Sequence, residues 1–244
     1  MQVAQLAPEL AAPQAGPAGG ADPADDEKVR FVKTVLADTE DVWGEIFPRV
    51  FRGTYAPPTL VLFTGQVRSA CGFASAAAGP FYCPLDRKVY IDLAFYEELR
   101  RRFNAPGDFA QAYVIAHEIG HHVQNLLGIA DEVQRERSRL SEKESNALSV
   151  RMELQADFLA GVWARRMAVL PGVIDESDIR EAVNAAQQIG DDRIQKRSQG
   201  YVVPDAFTHG SADQRASWFL YGLKTADPAD IPARMRRAFE VDEP

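Results

Sequence analysis

The stretch Ala112–Gln124, AYVIAHEIGHHVQ, constrains this chain more than any other. With His117 at 0° and about 100° per residue, one sector of its helical projection is entirely apolar. That sector, from about 160° to 280°, holds Phe109, Ala112, Ile115, Ala116, Ile119, Val123, Leu126 and Leu127. The sector around 0° holds Ala110, Tyr113, His117, His121 and Gln124. The stretch is therefore read as a helix with one core face and one histidine face, Asp108 its N-cap and Gly128 its stop. Residues i and i+4 of a helix stand one turn apart and about 40° round from each other. His117 and His121 thus present two imidazoles to one point, and Glu118 lies beside that point. H-E-x-x-H on a helix is the spacing of two metal ligands and a general base for an activated water.

A catalytic zinc site takes three protein ligands and keeps one position open, so a third ligand must come from elsewhere. The later stretch Glu153-Leu154-Gln155-Ala156-Asp157 offers two carboxylates at i, i+4. They share a face with Ala156, Ala160 and Ala164, opposite Arg151, Gln155, Arg165 and Arg166, although Phe158 and Val162 interrupt the polar side. An inward carboxylate without a partner is costly. Glu153 is assigned as the third zinc ligand and Asp157 as acceptor of the outer N–H of His117, which would fix its tautomer. Exchange of these two roles, and a plain acid pair bridged to nearby arginines, remain open at this point.

Two further histidines complete the set of four. His122 falls about 140° from His117, the wrong side for the same metal, and is read as a packed, hydrogen-bonded boundary residue. His209, in Phe207-Thr208-His209-Gly210-Ser211, is the first candidate for a donor to a developing oxyanion, with Tyr201 the second.

The composition agrees with a folded protein and narrows its partners. Hydrophobic residues make up 46% and charged residues 25%, and a net charge of −8 without a basic stripe argues against nucleic acid. No apolar run is long enough to span a bilayer, and no signal peptide is visible. Residues 1–27, rich in Ala, Pro, Gly and Asp, read as a disordered leader or linker, with one domain from 28 to 244.

Helices are expected from about 28 to 47, 93 to 103, 148 to 170, 175 to 188, 191 to 199, 211 to 223 and 230 to 239. The helix from Ser211 carries a capping-box pair with Gln214. Strands are expected at 59–63, 81–83 and 89–91, the last two as a hairpin or as two strands of a small sheet. The polar segment 131–144 reads as an exposed helix or excursion bordering the cleft. A few strands early and many helices later indicate an α+β fold around one core. Cys71 and Cys83 stand either as two buried thiols or as a disulfide worth about 2–3 kcal/mol.

The blocks ACGFASAAAGPFYCP, KVYIDLAFYEEL, HEIGHHVQNLLG, ELQADFLAGVWA and THGSADQRASWFLYG resemble, in this order, the bacterial neutral zinc metallopeptidases (YpfJ-like proteins). The resemblance covers residues 28–224. It implies a minimal thermolysin-like, gluzincin type of zincin core: a small β-sheet, an HExxH helix packed on an ExxxD helix, and additional C-terminal helices. Carried over, the zinc ligands fall on His117, His121 and Glu153, the base on Glu118, and the oxyanion histidine on His209. The resemblance also implies an extracytoplasmic setting, since family members usually carry an N-terminal membrane anchor ahead of such a linker. An exported domain fits a Cys71–Cys83 disulfide. The expected activity is hydrolysis of an extended peptide or unfolded protein, added as a strand to the edge of the small sheet. A catalytically silent zinc-bound scaffold at the cell envelope is the rival reading.

Overall fold

A computed structural model describes residues 23–75 and 79–244. Positions 1–22 of the expected leader lie outside the described residues, and its last five open the first helix. Helix α1 (Pro23–Ile46) runs into a wide turn over Phe47–Phe51 as Pro48 ends regular hydrogen bonding. Strand β1 (Thr59–Phe63) follows, then a hairpin of β2 (Gln66–Ser69) and β3 (Gly72–Ser75). Strands β4 (Phe81–Cys83) and β5 (Lys88–Asp92) form the expected second hairpin. The three-stranded sheet has the order β1-β5-β4, with β1 parallel and β4 antiparallel to the central strand. Strand β4 is therefore an edge. The β2–β3 hairpin is a separate pair, tied to that edge by a disulfide between Cys71 and Cys83.

The remaining elements are helical: α2 (Phe95–Arg102), α3 (Asp108–Leu126), α4 (Ile129–Arg137), α5 (Glu142–Ala168), α6 (Glu176–Gln188), α7 (Asp191–Gln199), α8 (Ala212–Leu223) and α9 (Ile231–Arg237). The fold is a helix-dominated α+β. None of the described helices is long and apolar enough to cross a membrane. The histidine helix starts one residue earlier than expected: Gly107 holds the N-cap position assigned to Asp108, and Asp108 is the first helical residue. Gly128 takes the left-handed conformation that ends it, with φ of 76°. Helix α5 begins six residues ahead of expectation. A capping box joins Ser141 and Glu144, so the polar segment is split between α4 and the first turn of α5.

Helix α3 is the centre of the packing, against α1 on one side and α5 and α6 on others. Along its length Phe109 stacks on Trp163, Tyr113 and His117 reach Asp157, and Gln124 reaches Met152 and Gln155. Ascending numbers on α3 meet descending numbers on α5, so the two helices run antiparallel. Their approach is close at one point: a Cβ on Gly120 would stand 2.9 Å from the Ala156 carbonyl oxygen. The glycine inside the H-E-x-x-H sequence is thus the contact that lets the helix of His117 and His121 meet the helix of Glu153. Helix α8 closes on α5 in the same manner, where a Cβ on Gly161 or on Gly222 would fall 2.0 Å from a backbone oxygen of the other helix. The histidine face of α3 is consequently buried like its apolar face, and its polar groups are satisfied by α5 and α8.

Candidate metal centre

His117 and His121 leave α3 one turn apart, and Glu153 meets them from the antiparallel α5. One carboxylate oxygen of Glu153 is 3.1 Å from His117 Nε2 and the other 3.4 Å from His121 Nε2. The three ligand atoms all lie within 4.8 Å of one another. Neighbouring donors at about 2.0–2.2 Å from a tetrahedral zinc ion stand roughly 3.3 Å apart, which these carboxylate-to-imidazole spacings match. Two imidazoles and one carboxylate are also a donor set of the catalytic zinc type.

Each imidazole is held from behind. His117 Nδ1 lies 2.7 Å from Asp157 Oδ1, so it carries the proton and leaves Nε2 free to face Glu153. His121 Nδ1 lies 2.8 Å from Gln124 Oε1. The orientation of that amide is fixed, because Gln124 Nε2 donates to the Met152 carbonyl at 2.8 Å and to Gln155 Oε1 at 3.0 Å. Asp157 is fully buried and surrounded by donors. Besides His117 it accepts from the Tyr113 hydroxyl at 2.5 Å and from Arg215 Nε and Nη2 at 2.9 and 3.0 Å.

The electrostatics of the cluster favour a cation at its centre. Burial opposes a charge on His117, but Asp157 and Glu153 outweigh it and raise its pKa to about 10. Burial pushes Glu153 up, yet the two histidines hold it well below the carboxylate range. Asp157 is likewise lowered, burial being overcome by Arg215 and His117. Glu118 is the exception. Burial dominates and raises its pKa, with the histidines and the backbone N–H of Tyr82 pulling the other way. A carboxyl adjusted upward beside a cationic centre suits proton transfer.

His209 sits in the loop before α8, which Asp191 organises. Oδ2 of Asp191 accepts the backbone N–H groups of Thr208, His209 and Gly210 at 2.7, 2.7 and 3.3 Å. Oδ1 lies 3.2 Å from His209 Nδ1. Nδ1 is thereby occupied and Nε2 is the nitrogen left for another partner.

A cavity of about 480 Å³ is lined by His117, Glu118, His121, Glu153, His209 and Arg215 together with apolar side chains such as Phe81, Phe103 and Ile194. A second cavity of about 730 Å³ adjoins it and shares Tyr82, His121 and Glu153, its far wall formed by α4. His121 and Glu153 thus line both cavities, and His117 lines the first.

Residues 2–233 match the model of the family described as "Putative neutral zinc metallopeptidase". The chain belongs to this family. It is 53% identical over 207 residues, 85% of this chain and 71% of the relative, to "Uncharacterized protein YpfJ" of Escherichia coli strain K12. It is 41% identical over 213 residues, 82% and 69% of the two chains, to "Uncharacterized protein Rv2575" of Mycobacterium tuberculosis strain H37Rv. No solved structure matches.

In this family member the structure brings together His117, Glu118, His121, Glu153, Asp157 and His209, all of which the sequence singled out. Tyr201, the second oxyanion candidate, is 62% exposed and does not line the cleft. Cys71 and Cys83 are paired rather than free. His122 is buried, with Nε2 donating to the Ala56 carbonyl at 2.7 Å and Nδ1 3.0 Å from the Tyr82 hydroxyl. Four residues of the site were not assigned from sequence: Tyr113, Gln124, Asp191 and Arg215. Tyr113 and Gln124 had a signal, since both project onto the histidine face. Asp191 and Arg215 had none, because their partners lie on other elements.

Proposed function

We propose that this protein is a zinc-dependent endopeptidase of the gluzincin type, built on a zincin-like core. The observation that carries the reading is the convergence of His117 Nε2, His121 Nε2 and the Glu153 carboxylate next to two cavities that share His121 and Glu153, with Glu118 beside them. A zinc ion held by these three residues would supply a Lewis acid for the scissile carbonyl and bring a water toward a pKa of about 7. Glu118 takes the proton of the attacking water and delivers it to the leaving amine. His209, with Nδ1 anchored on Asp191, donates from Nε2 to the oxyanion. Asp157 and Gln124 keep His117 and His121 in the tautomer that leaves both Nε2 atoms as ligands. A cleft that continues on both sides of the centre suits cleavage within a chain rather than at its end. The substrate is an extended peptide or an unfolded protein. The Cys71–Cys83 disulfide supports an oxidising, extracytoplasmic location.

The test is the pair Glu118→Gln and Glu153→Ala. The first is expected to retain one equivalent of zinc and lose at least a hundredfold in cleavage of unfolded casein; the second is expected to lose the metal. Full turnover by Glu118→Gln would end the reading.

A further inference from the structure

The two cavities beside His121 and Glu153 differ in the charge they can offer a substrate. Among the described residues that line them, the Lys and Arg side chains are Arg215 in the first cavity and Arg137 in the second. Arg215 is spent, since its Nε and Nη2 both bond Asp157, at 2.9 and 3.0 Å. Arg137 is not. Its Nε donates to Ser145 Oγ at 3.0 Å, and its Nη1 and Nη2 have no hydrogen-bond or ion-pair partner among the described residues. Carboxylates are plentiful in this chain, where acidic residues outnumber basic ones 35 to 27, yet none is paired with this guanidinium.

Two helices hold Arg137 where it is. On α4, Ala130, Val133, Gln134 and Arg137 stand at i, i+3, i+4 and i+7, one helix face, and all four line the second cavity. Arg137 is half-buried there, while the neighbouring Arg135 and Arg139 are exposed. Asp131 also lines the cavity, but it projects about 120° round α4 from Arg137 and forms no ion pair with it. On α5, Ser145, Ser149 and Glu153 stand at i, i+4 and i+8, again one face. Ser149 and Glu153 line the cavity, and Ser149 Oγ donates to the Ser145 carbonyl at 3.2 Å. Ser145 thus anchors the guanidinium two turns of α5 away from Glu153, about 12 Å along the helix. The anchor at Nε fixes the plane of the guanidinium and leaves its Nη1–Nη2 edge open. That edge is a pair of parallel donors, the shape that takes a carboxylate in two hydrogen bonds.

We infer that Arg137 is a specificity-determining residue, which binds the carboxylate of an acidic side chain on the substrate. This rests on the reading of the chain as an endopeptidase with its zinc on His117, His121 and Glu153. An extended peptide advances about 3.3 Å per residue, so 12 Å places the acidic residue roughly three to four positions from the scissile bond. The same guanidinium repels a lysine or arginine at that position. Selection then comes from the second cavity, at a distance from the bond that is cut, and the wall that makes it is α4.

The experiment compares zinc-loaded wild type with Arg137→Met and Arg137→Glu. The substrates are quenched peptides that carry a single Glu, Gln or Lys, scanned from the second to the fifth position on either side of the scissile bond, with amidated or free C-termini. Wild type is expected to prefer Glu to Gln about tenfold or more in kcat/KM at one position three or four residues from that bond. The preference falls to within twofold in Arg137→Met and turns toward Lys in Arg137→Glu, with kcat/KM for the Gln peptide within twofold of wild type throughout. A preference that survives in Arg137→Met overturns the inference. A gain confined to peptides with a free C-terminus also overturns it, because the carboxylate read is then the chain end. The second readout needs no turnover: the same peptides, fluorescently labelled, are titrated by anisotropy into zinc-loaded Glu118→Gln with and without Arg137→Met. The Glu peptide is expected to bind about tenfold more tightly than the Gln peptide, and only where Arg137 is present. If wild type cleaves no peptide, the endopeptidase reading fails and this titration decides alone, equal affinity or no binding overturning the role of Arg137.

Discussion

His121 donates from Nδ1 to the side-chain oxygen of Gln124, three residues further along its own helix, at 2.8 Å. The amide cannot turn round, since its nitrogen is committed to Met152 and Gln155 on the neighbouring helix. Gln124 therefore links His121 to α5 and specifies which imidazole nitrogen is free. Gln124→Met keeps the volume and removes that acceptor. Zinc affinity, measured by competition with a chromophoric chelator, is expected to fall 10–100-fold, with turnover of the fully loaded variant reduced much less. An affinity within twofold of wild type would show that the bond does not orient His121.

That relationship also marks what could be read in advance. His117, Glu118 and His121 were legible because their geometry is internal to one helix turn, and Glu153 with Asp157 because the same i, i+4 logic applies to α5. Tyr113 and Gln124 stood on the correct face, but their partners lay on another element and no local rule names them. Arg215 and Asp191 were invisible for that reason. The start of α5 was missed because Glu142–Ala147 carries no apolar period; its capping box is a spacing signal without a hydrophobic run behind it. The β2–β3 hairpin was missed because four-residue strands half open to solvent give too short an alternation to recognise.

Gly120→Ala tests the close approach of α3 and α5. On an isolated helix alanine is the better former by up to about 1 kcal/mol. Here its Cβ would stand 2.9 Å from the Ala156 carbonyl oxygen and 3.0 Å from the Ala156 Cα, both backbone atoms. The helices must separate, at a cost of roughly 1–3 kcal/mol, and Glu153 moves with α5. Denaturant titration is expected to show a lower midpoint and chelator competition a weaker zinc site. A stabilised variant would contradict the packing described.

Asp157→Asn tests the buried charge network. Asp157 and Arg215 are almost completely buried and joined by two hydrogen bonds, at 2.9 and 3.0 Å. Removing the negative charge leaves a guanidinium uncompensated inside the protein, at a cost of about 3–5 kcal/mol. Asp157→Asn combined with Arg215→Met is expected to recover part of that stability while the zinc site stays weak, since His117 has still lost its carboxylate. Urea unfolding of the three variants distinguishes this from a general packing defect, which the second substitution would worsen.

The Asp191–His209 pair sets a pH window of its own. His209 is raised from its ordinary pKa of 6.5, first by its hydrogen bond to Asp191. Asp191 is lowered from 3.8: burial opposes this, but the hydrogen bonds from the His209 side chain and from the backbone of the loop prevail. A raised histidine contributes stability that is complete below 6.5 and lost as pH rises through its folded value. A lowered aspartate contributes above 3.8, and its share is lost as pH falls through its folded value. The loop is thus held best in the mildly acidic range between the two and loosens toward alkaline pH. NMR titration of the His209 ring is expected to give a pKa above 6.5 in the wild type and a lower one in Asp191→Asn. Backbone amides of Thr208–Gly210 should exchange faster in that variant, because the same carboxylate receives their N–H groups. An unchanged His209 titration in Asp191→Asn would show that the aspartate shapes the loop without governing the ring.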